Sequence, residues 1–144
     1  MTLLQLSVCS VMPGKRFLLD TNALVALLQG NPELLALTRS ADWLGVSVIN
    51  ILEFSGFEGL SAHDQHLLSQ FVARVTVVDV AYGNSALMAH IAALRQRKAL
   101  KLPDAIVMAS AALCQATVLT NDFQLLKLSS VDSAYVAQGF ETEK

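Results

Sequence analysis

Four acids in this chain stand inside or against apolar runs. Asp20 follows Phe17-Leu18-Leu19, Glu53 lies within Val48-Ile49-Asn50-Ile51-Leu52-Glu53-Phe54, Asp104 within Leu102-Pro103-Asp104-Ala105-Ile106-Val107, and Asp122 within Val118-Leu119-Thr120-Asn121-Asp122-Phe123. A carboxylate beside core sequence is costly to bury unless it is paired or holds a metal. Few cations lie near these acids in sequence, and four acids folded together would repel one another. A divalent cation offsets that repulsion, and oxygen-only ligands favour hard ions such as Mg2+ or Mn2+. An acidic pocket holding such ions is equipped for phosphodiester hydrolysis, with one ion activating a water and a second stabilising the leaving oxygen. No Ser-His-Asp set and no phosphate-cradling Gly-rich loop accompanies them.

The elements that must position these acids alternate. Phe17-Leu18-Leu19 reads as a buried strand, followed by a helix from Asn22 to Gln29 that stops at Gly30. Asn31-Pro32-Glu33 opens a second helix, since Asn caps and Pro suits the first helical position. Gly45 to Val48 reads as a strand running into the helix that carries Glu53, and Ser61 opens another helix with Asp64 three residues on. Val75 to Val78 is β-branched and reads as a strand. Helices are expected over Asn84–Arg97 and from Pro103 to Cys114, a strand over Thr117–Thr120, a short helix over Asp122–Leu128, and an edge strand at Ala134-Tyr135-Val136. Alternation of this kind predicts an α/β fold, a three-layer α/β/α sandwich with a mainly parallel central sheet. Ligands of such sheets bind beyond the carboxyl ends of the strands. Three or four of the acids can therefore share one rim.

The chain has 144 residues, the size of one domain. We read 1–14 as an amino-terminal extension outside the core, 15–140 as a single domain and 141–144 as a polar tail. The compact segment Met12-Pro13-Gly14-Lys15-Arg16 sits just ahead of the first strand. A composition rich in aliphatic residues and poor in charge excludes a disordered chain. The net charge of −2 does not announce a nucleic-acid binder, but setting aside four clustered acids leaves the remaining surface slightly positive. Cys9 and Cys114 are far apart and lack metal-type spacing, which points to a reducing cytoplasm. No apolar run is long enough to span a bilayer.

Leu19-Asp20-Thr21-Asn22 after an apolar strand resembles the opening motif of PIN-domain ribonucleases. Ile51-Leu52-Glu53-Phe54, Leu102-Pro103-Asp104-Ala105-Ile106-Val107-Met108-Ala109-Ser110-Ala111 and Leu119-Thr120-Asn121-Asp122-Phe123 resemble its later motifs in the same order. Over roughly residues 15–140 the chain looks most like VapC-type toxins of bacterial toxin–antitoxin pairs. The resemblance implies an RNA substrate, a cognate antitoxin as partner, and Asp20, Glu53, Asp104 and Asp122 as the metal site, supported by Asn22 and Thr120. One departure concerns the last motif, which in the family often carries a further Asp-Phe pair after its acid. Here Phe123 follows Asp122 directly, so two acids are merged into one and a second metal would be held more weakly.

Each acid also has a plainer reading. Asp20 and Asp122 can cap the helices that follow them, and Asp104 beside Pro103 suits a first helical turn. Glu53 between Leu52 and Phe54 reads as partly buried. Arg95, Arg97, Lys98 and Lys101 just before Asp104 read as a solvated helix end, or as contacts to RNA phosphates. His63, His66 and His90 gain no metal role, and Trp43 reads as a packing residue. An alternative of another class is a catalytically weak PIN-like protein-interaction module. A phosphatase of the haloacid dehalogenase type, which also begins with a strand and an Asp, needs a second Asp where Asn22 stands. The apolar surplus is compatible with a homodimer.

Overall fold

The computed structural model describes residues 14–142. Residues 1–13, which include Cys9 and most of the expected extension, and 143–144 of the tail lie outside them. The chain forms β1 (Arg16–Leu19), α1 (Thr21–Leu28), α2 (Pro32–Arg39), β2 (Trp43–Ser47), α3 (Val48–Ser55), α4 (Ala62–Val72) and β3 (Thr76–Val78). It continues through α5 (Ser85–Arg97), α6 (Leu102–Cys114), β4 (Thr117–Leu119), α7 (Phe123–Val131) and β5 (Ala137–Gln138).

All neighbouring strands are parallel, in the order β3-β2-β1-β4-β5. The chain builds outward from β1 through β2 to β3, then crosses back to lay β4 and β5 on the other side. The switch of direction falls between β1 and β4, and there the loops leaving the two strands diverge and open a crevice. Strand alternation sends Leu18 and Val118 to one face with α5, α6 and α7, and Phe17, Leu19 and Leu119 to the other with α1 and α2. Leu24, Val46, Phe54 and Leu68 extend that second face over α1, α3 and α4. Both faces are covered, which is why the strands read as unbroken apolar runs.

Every helix but α6, which Lys101 precedes without a side-chain cap, starts where a short polar side chain caps it. Asn31 accepts from the Leu34 amide at 3.1 Å, Asn84 from Leu87 at 3.1 Å, and Ser61 with Asp64 forms a reciprocal capping box. Each such cap contributes about 1 kcal/mol. Ser47 is fully buried and caps α3 through Ile49, so β2 passes into α3 without a loop. That abrupt junction brings Asn50 and Glu53 to the end of the sheet.

The last strand differs from expectation. It forms at Ala137–Gln138, not at Ala134–Val136. The Asp132 carboxylate accepts from the Ala134 amide at 3.0 Å and the Asp132 carbonyl from Tyr135 at 3.2 Å. This local turn uses the amides that a strand would need. No helix among the described residues is long and apolar enough to cross a membrane.

Candidate active site

Asp20 is the centre of the crevice. It ends β1, caps α1, and is only 6% exposed. Both carboxylate oxygens are engaged: Oδ1 accepts from the Thr21 amide at 2.9 Å and Asn50 Nδ2 at 3.2 Å, and Oδ2 from Thr120 Oγ1 at 2.7 Å and Asn22 Nδ2 at 3.3 Å. Burial nonetheless raises its pKa, against the lowering effect of the Thr120 and Thr21 hydrogen bonds, and the charges of Asp122 and Glu53 raise it further. Capping and site membership therefore coincide in one residue. The same is true of Asp122, whose Oδ1 accepts from the Gln124 amide at 2.8 Å at the start of α7.

Asp104 lies in the first turn of α6, one residue after Pro103. Its carboxyl is pushed up to about 6, first by burial, then by the charges of Asp122, Asp20 and Glu53, with Lys101 opposing. Asp104 thus feels the charge of the other three sequence-predicted acids, and Asp20 that of Asp122 and Glu53. Thr120 is fully buried between Asp20 and Asp122: its hydroxyl donates to Asp20 and accepts the Asp122 amide at 3.0 Å. Asn22 links Asp20, Thr120 and, through Oδ1, the Asn121 amide at 2.9 Å.

Glu53 departs from its expected burial, for it is exposed. Leu52 and Phe54 flank it in sequence, but a helix turns about 100° per residue. Phe54 and Asn50 point into the protein, and Glu53 and Leu52 do not. Two polar residues of this site carried no assignment from sequence. Thr21 Oγ1 donates to Glu53 Oε1 at 2.7 Å, and fully buried Asn50 spreads its Nδ2 over Asp20, Thr21 Oγ1 at 2.9 Å and Glu53 Oε1 at 3.3 Å. The signal for Asn50 was its place three residues before Glu53, which puts both on one side of a helix. Asn50 Oδ1 has no partner, and exchanging it with Nδ2 would aim an oxygen at two carboxylates. Asn50→Ala is expected to destabilise the fold by about 2 kcal/mol, since it strips a shared donor from three acceptors. A urea midpoint equal to the parent's would show that the network contributes nothing.

The basic run divides. Arg95 donates to the Leu100 carbonyl at 3.2 Å, Lys98 pairs with Asp132 at 3.8 Å, and Arg97 stands near Tyr135. Lys101 is the member whose charge reaches Asp104. The His90 ring is bonded to the Tyr135 hydroxyl. His63 and His66 are exposed, and Trp43 packs under the Arg16 guanidinium at 4.8 Å.

The donors of this crevice are oxygens of hard-ion type. Among the described residues, however, no three His, Cys, Asp or Glu side chains stand close enough to cage an ion as placed.

The PIN domain family model matches residues 17–131. The chain belongs to the PIN domain family. All four acids fall inside the matched span, and PIN domain nucleases generally use divalent ions. The fold is shared with solved structures. A chain of a toxin–antitoxin complex from Klebsiella pneumoniae is 26% identical, with a TM-score of 0.64 over 83% of this chain and 98% of that one. A chain of VapBC2 from Rickettsia felis, bound to a fragment of promoter DNA, is 19% identical, with a TM-score of 0.65 over 87% and 98%. One of VapBC-1 from nontypeable Haemophilus influenzae is 21% identical, with a TM-score of 0.63 over 85% and 96%. No curated protein sequence matches the chain.

Proposed function

We propose that this PIN domain protein is a magnesium- or manganese-dependent endoribonuclease, the toxin of a type II toxin–antitoxin pair. The reading is supported by the hydrogen-bonded set that joins Asp20 to the Asp122 backbone through Thr120 and to Glu53 through Asn50, with the Asp104 carboxyl raised by its burial and by the charges of the other three acids. These four would hold the ion, directly or through water. When bound, the ion lowers the pKa of a coordinated water and offsets charge developing on the phosphate. The chain's own residues set the stage: Thr120, Asn22, Asn50 and the Thr21 amide fix both oxygens of Asp20, and Thr21 Oγ1 fixes Glu53. Water is the nucleophile, and hydrolysis breaks a P–O bond of the RNA backbone. Single-stranded or loop RNA suits an acidic cleft that backbone must thread.

The toxin assignment is supported by the 26% identical chain in the Klebsiella pneumoniae toxin–antitoxin complex. The partner is then a cognate antitoxin protein, and the site of action is the cytoplasm, where cellular RNA lies. Exposed Leu52 and Phe57, on and just after α3, support a homodimer or antitoxin contact. Incubating purified protein with RNA in magnesium, manganese or chelator tests the activity. We expect fragments with either ion and none with chelator. Cleavage that persists in chelator, or none under any condition, sinks the reading.

The second reading is a catalytically weak interaction module. The absence of a ready three-residue cage among the described residues and the merged last motif favour it. Calorimetry separates the two, because a pure interaction module binds no magnesium at the crevice.

For RNA contacts, the engaged states of Arg95 and Lys98 single out Lys101. Lys101→Gln is expected to lower the slope of log affinity against log salt by about 0.7, the value of one phosphate contact on a single strand. Arg95→Gln should leave the slope unchanged. Equal slopes for Lys101→Gln and the parent would return Lys101 to a solvated helix end.

A further inference from the structure

The turn Thr120-Asn121-Asp122 is held from behind by the last described segment of the chain. The β4–β5 ladder runs on through the Thr120 amide, which donates to the Gln138 carbonyl at 3.0 Å. One step further, Asn121 pairs with the Phe140 backbone in both directions: Nδ2 donates to the Phe140 carbonyl at 2.9 Å and Oδ1 accepts the Phe140 amide at 2.9 Å. An amide side chain used this way acts as an extra rung of the ladder, past the point where the strands end. The approach is close, since a Cβ on Gly139 would stand 3.1 Å from Asn121 Oδ1. The Phe140 ring is buried with Leu19, Leu119 and Leu27. A second tether lies away from the acids, where Asn31 Nδ2 donates to the Glu141 carbonyl at 2.7 Å. Residues 138–141 lie beyond the 17–131 span that the family model matches.

On its cleft side, Asn121 gives its backbone amide to Asn22 Oδ1. The next amide, of Asp122, goes to Thr120 Oγ1. That hydroxyl is saturated, accepting from Asp122 and Asn22 and donating to Asp20. Its orientation therefore depends on where the turn puts the Asp122 amide.

We propose that Asn121 is a positioning residue, which makes the carboxyl-terminal segment Gln138–Glu141 part of the machinery that places Thr120 and Asp122. Its consequence for the ion rests on the nuclease reading above; the mechanical coupling does not. Without the Asn121–Phe140 pairing the turn loses its rear support, the Asp122 amide leaves Thr120, and the Asp20–Thr120–Asp122 set loosens.

The experiment compares three variants of the full chain by amide hydrogen exchange and by magnesium calorimetry, well below their melting temperatures. Asn121→Ala removes the pairing. Gly139→Ala leaves Asn121 in place and displaces the segment by a few tenths of an ångström. Asn31→Ser keeps a cap for α2 and removes the bond to the Glu141 carbonyl, while Glu33 Oε1 still accepts the Glu141 amide at 2.6 Å. We expect Asn121→Ala to speed exchange at the Asp122 amide and to weaken magnesium binding about tenfold, the usual scale for residues that orient metal ligands. At saturating magnesium its kcat should recover and its KM for RNA should match the parent's. Gly139→Ala should move both readouts in the same direction by less, and Asn31→Ser should move neither. Unchanged Asp122 exchange in Asn121→Ala overturns the proposal, as does an equal response in Asn31→Ser, which would make the segment a general stabiliser. If the parent binds no magnesium the nuclease reading falls, and the exchange comparison still decides the coupling.

Discussion

Asp104→Asn is expected to abolish divalent-ion-dependent RNA cleavage, by at least about a hundredfold, while making the ion-free protein more stable. The two effects share one cause. The Asp104 carboxyl is burdened by burial and by Asp122, Asp20 and Glu53, and no hydrogen bond from the protein to its side chain offsets that burden among the described residues. Neutralising it relieves the repulsion, for a gain of about 1 kcal/mol once solvent screening of this partly exposed group is allowed for. Asp20→Asn should lose cleavage as severely but lower stability, because Thr21, Asn50, Thr120 and Asn22 all donate to its oxygens. An asparagine there offers one oxygen and turns an NH2 group toward donors. Cleavage assays and urea melts of both variants in chelator check the pair. An Asp104→Asn protein that cleaves like the parent removes this residue from the site, and one that is less stable removes the repulsion argument.

The pH dependence has a definite sign. The folded-state pKa of Asp104 lies above the ordinary aspartate value of 3.8, at about 6, and that of Asp20 is also raised. The ion-free folded protein therefore holds more protons than the unfolded chain between those values. The stability contributed by Asp104 is full below about pH 3.8 and is lost as pH rises through about 6. A bound cation favours the ionised carboxylates and reverses the balance, so binding releases protons. Magnesium affinity should be about tenfold weaker at pH 5 than at pH 7, from proton competition at Asp104 alone. Calorimetry in two buffers of different ionisation enthalpy measures the released proton. A flat affinity across that range would show that no acid of raised pKa takes part.

Helix starts were legible in sequence wherever a cap and a proline or capping box coincide, as at Asn31-Pro32 and at Ser61 with Asp64. Those signals are local, and the hydrogen bonds that realise them reach only three residues. The edge strand was misplaced because its amides were contested between a turn at Asp132 and the ladder to β4, and only the turn's actual geometry resolves that contest.

For the candidate site, the order of four acids against apolar runs singled out Asp20, Glu53, Asp104 and Asp122 as candidates, since burying a carboxylate beside core sequence needs a reason that sequence makes visible. The supporting set was less legible. Asn121 looks like an ordinary polar residue along the chain and Asn50 offered only its spacing to Glu53, while the partners that give them a place in the network stand 19 and 30 positions away. The exposure of Glu53 was hidden for the opposite reason: adjacency in sequence suggested burial, but helical rotation sends neighbours to different faces. What the sequence by itself determined is the alternating α/β pattern that implies a parallel sheet, because short apolar runs and helical patterns are local. It also marked the candidate acids, because charge against an apolar run is local too. Tertiary structure alone decided that the acids meet between β1 and β4, which of them is buried, and which amide side chains hold them, because these depend on strand order and on contacts between segments that lie far apart in the chain.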